Sequence, residues 1–88
     1  MDAHALEKQL HAEGFSHTFV WQDDPDAFYP DHTHRTLTAH IILDGEMNLT
    51  VSGKPQTLRP GDRCDVPAGA IHSARMGLRG CRYLIGEK

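Results

Sequence analysis

Three histidines stand in spacings that suit metal chemistry: the pair His32-Thr33-His34 and the distant His72. On a strand, residues two apart share a face with their Cα atoms about 7 Å apart. Two imidazoles so placed can converge on one ion, and a third from a later strand can complete a facial set. Three neutral nitrogen ligands with coordination positions left open describe a site that accepts a ligand or activates a water. The chemistry of the chain turns on whether these residues meet.

The elements that would position them are mostly strands. Residues Asp2 to Glu13 read as a short helix, with Asp2 as N-cap, a stripe of Ala3, Leu6 and Leu10, and Gly14 as the stop. Phe15 can close over its last turn. About three turns are unstable alone, so the stripe must pack on the domain or on a second subunit. His4 and His11 belong to this helix and are expected in solvent. From Phe15 the period becomes two, with Phe15, His17, Phe19 and Trp21 on one face. His17 is therefore expected in the core or an interface. Asp23-Asp24-Pro25-Asp26 reads as a loop, and Pro30 should block regular pairing before the histidine pair.

A strand is expected over His34 to Leu43. Asp44-Gly45 gives a two-residue hairpin signal, and Glu46 to Ser52 is the return strand. After a turn at Gly53-Lys54-Pro55 come short strands at Gln56–Leu58, Arg63–Val66, Ile71–Arg75 and Arg82–Ile85. Pro60-Gly61-Asp62, Pro67-Ala68-Gly69 and Met76-Gly77 separate them. Short strands with frequent turns predict an antiparallel sandwich or barrel. The expected division is a helix over residues 1–14 and one domain over 15–88.

At 88 residues with a net charge of -3 there is room for one core only. A domain this small gains from a bound metal or a partner subunit. Basic residues are scattered, which predicts no nucleic-acid face. Apolar runs are too short for a membrane span, and the expected location is the cytoplasm. Cys64 and Cys81 fit neither a disulfide framework nor a zinc motif and read as small packing side chains. Seven histidines are the compositional anomaly.

Two longer patterns frame the trio. Gly61-x5-Pro67-x-Gly69-x2-His72 is similar to the second signature motif of the cupin superfamily at every spacing up to the histidine. Met76 stands where that motif ends in asparagine. His32-Thr33-His34 and Gly45 resemble the first motif, but Thr38 occupies the position of its glutamate. The Leu43-Asp44-Gly45-Glu46 and Leu58-Arg59-Pro60-Gly61-Asp62 turns also resemble those of the family. The resemblance covers about residues 30 to 85. It implies an all-β fold, a small antiparallel cupin-type barrel, carrying a short N-terminal helix. It implies a divalent transition metal held by His32, His34 and His72.

The missing glutamate leaves a place to fill. An unbulged strand would turn His34, Thr36, Thr38, His40 and Ile42 inward. Thr38 could hold a metal-bound water, or His40 could itself become the fourth ligand. An all-imidazole site keeps the full charge of its ion, acidifies a bound water and attracts anions. Imidazole suits zinc, iron, nickel and copper, with manganese also open; loss of the carboxylate moves the preference slightly toward zinc. Tyr29 and Tyr83 are candidate ligand-pocket residues. Arg63, Arg75 and Arg82 are expected on exposed strand positions.

Three functions compete. One is a metal-binding module that takes a small molecule or anion. Another is a metalloenzyme (dioxygenase, isomerase or hydrolase) acting on a small organic acid or phenol. The third is a free-standing small-molecule sensor. No carboxylate is placed by the sequence to complete an acid–base set, and a homodimer is expected from the exposed strand edges.

Overall fold

The computed structural model describes all residues from Met1 to Lys88. Helix α1 spans Ala3–Ala12, and Asp2 caps it by accepting from the backbone N–H of His4 at 3.0 Å and of Ala5 at 3.4 Å. The chain leaves the helix through Gly14, and the Phe15 N–H returns to the Leu10 carbonyl at 3.0 Å. Leu10 and Phe15 are fully enclosed against Ala39, Ile41 and Leu84. The helix thus covers the outer face of the sheet, as its apolar stripe requires.

Six strands follow: β1 His17–Asp23, β2 Phe28–His32, β3 Thr38–Val51, β4 Lys54–Leu58, β5 Arg63–Val66 and β6 His72–Glu87. The sheet order is β1-β6-β3-β4, with β2 also on β6 and β5 also on β3. All pairings are antiparallel. The long strands β3 and β6 form the spine. Their first halves pair with β5 and β2, and their second halves with β4 and β1. This split curls the sheet around an interior core that includes Ile42, Met47, Leu49, Val66, Met76 and Tyr83. The expected small all-β antiparallel cupin-type barrel with one short helix is what forms.

Several local expectations are corrected. Asp44-Gly45 is not a hairpin: β3 runs through it, and the β3–β6 register shifts on either side of it. Gly45 has φ +80°, and a Cβ there would collide with the Gly80 carbonyl. The glycine permits a bulge and a close crossing of the two spine strands, not a reversal. Met76-Gly77 is likewise no turn, because β6 is continuous and Met76 is buried. The strand expected from His34 begins only at Thr38, leaving His34 in the connection after β2. β2 forms where Pro30 argues against a strand. It tolerates the proline at an irregular pairing with β6, where the register shifts between Tyr29 and His32. His17 is exposed, not in the core, and its Nε2 lies 3.8 Å from Glu87 Oε1. The turn after β3 is made by Ser52-Gly53, and Lys54 and Pro55 already belong to β4.

Candidate metal centre

β2 and β6 bring two of the histidines face to face. His32 is the register partner of His72, and their ring centroids are 4.0 Å apart. His34, two residues beyond His32, folds its ring to 5.0 Å from His32 and 4.9 Å from His72. One ring nitrogen from each lies within 4.8 Å of the others, a cluster that could hold a metal ion. Nitrogens sharing a tetrahedral ion stand about 3.4 Å apart, given bonds of about 2.1 Å. To share one ion the rings would close by up to about an ångström, within reach of side-chain rotation.

The hydrogen bonds around the cluster orient it. His32 Nδ1 lies 2.7 Å from the Pro30 carbonyl, and His72 Nδ1 lies 3.0 Å from the Ala70 carbonyl. A carbonyl only accepts, so each Nδ1 carries the proton and each Nε2 keeps its lone pair. His72 Nε2 is buried without any partner. An orphaned acceptor of this kind costs stability unless something satisfies it, and an ion among the three rings would do so. The donor set fits a divalent transition metal. Burial lowers the His72 pKa, as do the neighbouring His32 and His34; its Ala70 contact opposes the shift.

His40 lies on the wall of the same cavity but outside the converging group. It is buried, its Nδ1 has no partner, and its ring stands 6.3 Å from that of Tyr83. Burial, then the proximity of His72, pushes its pKa down to about 4. Thr38 is buried too, yet it does not line the cavity, and its hydroxyl donates to the Thr36 carbonyl at 3.2 Å. The inward alternation expected for β3 places His40 and not Thr38 on the cavity surface.

The cavity has a volume of about 410 Å³. Beyond the histidines it is walled by aromatic rings (Phe19, Trp21, Tyr29 and Tyr83) and by aliphatic side chains such as Met47 and Leu49. Tyr29 and Tyr83 both reach one carboxylate, Asp23, which ends β1 where the sequence predicts a loop. Tyr29 donates to its Oδ1 at 2.7 Å, Tyr83 to its Oδ2 at 2.6 Å, and Trp21 Nε1 to Oδ1 at 3.0 Å. Burial and the Asp23 contacts raise both phenol pKa values. No spacing rule could have found this group, since Tyr83 is 60 residues from Asp23 in the chain. The only available signal was the β1 alternation continued one residue past Gln22.

The remaining candidates lie elsewhere. Arg63 pairs with Glu13 and Asp65, Arg75 pairs with Asp26, and neither they nor Arg82 line the cavity. His4 and His11 are exposed, as expected. Both cysteines are free, and burial raises the Cys81 thiol to about 12, with Asp23 and Asp44 adding to the shift.

Barrel, motifs and histidine cluster together define a class, and the family model described as cupin domain matches residues 19–77. The chain belongs to the cupin family. Over 52 residues it is 44% identical to quercetin 2,3-dioxygenase of Bacillus subtilis (strain 168), a match covering 58% of this chain but only 15% of that protein. Among solved structures it is similar to the DMSP lyase DddQ from Ruegeria pomeroyi DSS-3. That likeness has a TM-score of 0.75 and 29% identity, over 81% of this chain and 36% of the other. KdgF from Halomonas sp. superposes with a TM-score of 0.72 at 19% identity, over 81% of this chain and 67% of the other, a likeness of fold.

Proposed function

We propose that this cupin holds one divalent transition metal through His32, His34 and His72 and binds a small organic molecule at the open coordination positions. The observation that carries the reading is the pair of backbone-anchored imidazoles: their Nδ1 atoms are held by Pro30 and Ala70, and the Nε2 of His72 is buried and unpaired beside a roomy cavity. A bound divalent ion would act there as a Lewis acid toward a coordinated ligand group. The protein's own part is to fix the ligand nitrogens and to shape the space beside them with aromatic and aliphatic walls. Zinc remains slightly preferred over iron, nickel, copper and manganese, because no carboxylate joins the cluster. His40 then serves as a neutral hydrogen-bonding group on the wall, or as a fourth ligand after a rotation.

A second reading, a metal-dependent enzyme acting on a small organic acid or phenol, is favoured by the identity to a dioxygenase over the matched segment and by the buried, neutral His40. In either case residues 15–88 are the working barrel and residues 1–14 its outer brace. Free cysteines suit a reducing cytoplasm. The outer strand β1, with Val20 and Trp21 well exposed, suits a homodimer. Oxygen uptake by iron-loaded protein with a panel of catechols, thiols and keto acids separates the readings. Binding without turnover supports the module, turnover supports the enzyme, and absence of both from metal-loaded protein contradicts the proposal.

A further inference from the structure

Every hydrogen that the aromatic wall of the cavity could offer a ligand already points at Asp23. The polar atoms of that wall are the Tyr29 and Tyr83 hydroxyls and the Trp21 indole nitrogen. Each has one proton, and all three protons lie in hydrogen bonds to the one carboxylate, at 2.7, 2.6 and 3.0 Å respectively. A phenol whose proton is engaged keeps only acceptor lone pairs for other partners. No lysine or arginine lines the cavity. The nearest histidine of the cluster is close, with the Tyr29 ring 6.5 Å from that of His32. The cavity is therefore polarised. A metal at the histidines would attract an electron-rich head group, while the aromatic wall accepts hydrogen bonds and has a negative charge behind it.

We infer that Asp23 determines ligand specificity: by fixing Tyr29, Tyr83 and Trp21 as its own donors it selects small ligands that pair a metal-binding head with a hydrogen-bond-donating hydroxyl or amine, and it rejects a second carboxylate. This inference rests on the metal-and-ligand reading above and adds to it the chemistry of the far end of the ligand. A carboxylate tail would meet acceptor lone pairs and, beyond them, the like charge of Asp23, which repels it. A hydroxyl or amine tail would complete the acceptor capacity that the tyrosines retain. The flat rings of Phe19 and Trp21 and the aliphatic Met47 and Leu49 suit an apolar body between the two ends.

Affinities of zinc-loaded protein for benzohydroxamate and its 4-hydroxy, 4-amino and 4-carboxy derivatives test this, because the hydroxamate head is constant and only the tail changes. The hydroxy and amino probes should bind at least about tenfold more tightly than the parent, and the carboxy probe at least about tenfold more weakly. In Asp23→Asn the amide can donate to a tyrosine, freeing phenol protons for the cavity, so the carboxy probe should gain affinity and the donor preference should shrink. Tyr29→Phe keeps the Tyr83–Asp23 contact and removes one of the two phenol acceptors, so the ratio of donor-tail to parent affinity should fall by part of its value. Metal content measured on the same samples separates the two levels of the reading. Protein that loads zinc but binds all four probes alike, or not at all, overturns the role of Asp23. Protein that loads no zinc overturns the metal reading and this inference with it.

Discussion

His32 and His72 face each other as register partners across β2 and β6, and each ring leans its Nδ1 on the backbone carbonyl two residues before it. The same local device thus acts on two strands that meet only in the folded sheet. It fixes the tautomer of both neutral rings and leaves both Nε2 lone pairs free for an ion. Preorganisation of this kind reduces the rearrangement that binding must impose.

Metal and stability should be linked. An ion that binds only the folded chain stabilises it by about 2.7 kcal/mol at a free concentration one hundred times its dissociation constant. For a domain of this size that corresponds to a rise in Tm of roughly 10 to 20 °C. Thermal unfolding with saturating zinc and then with excess chelator measures it. Identical midpoints would contradict a native metal site.

Acid should weaken the metal-free protein through His40. Its imidazole in the fold stays neutral down to about 4, whereas in the unfolded chain it takes a proton near 6.5, as an ordinary histidine does. The unfolded state binds more protons between these limits, so stability is full above pH 6.5, falls as the pH drops toward 4 and levels off below. The loss is about 3 kcal/mol at most, and His72, lowered in the same sense, adds to it. Urea unfolding at about pH 7.5 and about pH 4.5 gives the difference. His40→Leu should flatten much of this slope, and an unchanged slope would refute the assignment.

The crossing of the spine strands should be intolerant of a side chain. Gly45→Ala would drive a Cβ into the Gly80 carbonyl, a backbone group that cannot step aside. At Gly69, also at positive φ, a Cβ meets nothing within 4 Å. Gly69→Ala should cost about 1 to 2 kcal/mol of left-handed strain, and Gly45→Ala distinctly more. Chemical denaturation of both variants checks the order, and equal losses would mean that the crossing relaxes freely.

The helix should behave as part of the core. Leu10 is wholly enclosed between α1 and the outer face of β3 and β6. Leu10→Ala should cost about 2 to 5 kcal/mol, in the range of buried leucine truncations. A loss below about 1 kcal/mol in denaturant titration would show that the helix is dispensable.

Much of this was legible in the sequence, because short-range chemistry dictates it. Asp2 and Gly14 bound the helix as their capping roles require. Arg63 to Val66 forms the strand its alternation predicts, and Pro67 to Gly69 turns the chain into His72. The failures arise where one local signal serves two structures. Asp44-Gly45 satisfies a hairpin and a bulge equally well, and only the close approach of Gly80, 35 positions on, decides for the bulge. Met76-Gly77 is similar: an isolated glycine reads as a turn until pairing with Met47 shows a continuous strand. Thr38 and His40 share an expected inward face, yet only His40 reaches the cavity. The grip of Tyr29 and Tyr83 on Asp23 depends wholly on the pairing of β1 and β2 with β6. No pattern within any one segment encodes it.

The central claim is that His32, His34 and His72 together hold one metal ion. Elemental analysis of the purified chain against a His32→Ala/His72→Ala double variant tests it most directly, with folding of both confirmed by circular dichroism. The account predicts about one equivalent of a divalent transition metal per wild-type chain and almost none in the variant, since His34, with at most His40 beside it, is too small a ligand set to retain an ion through purification. Equal metal content in the two proteins, or none in either after incubation with zinc, would contradict it.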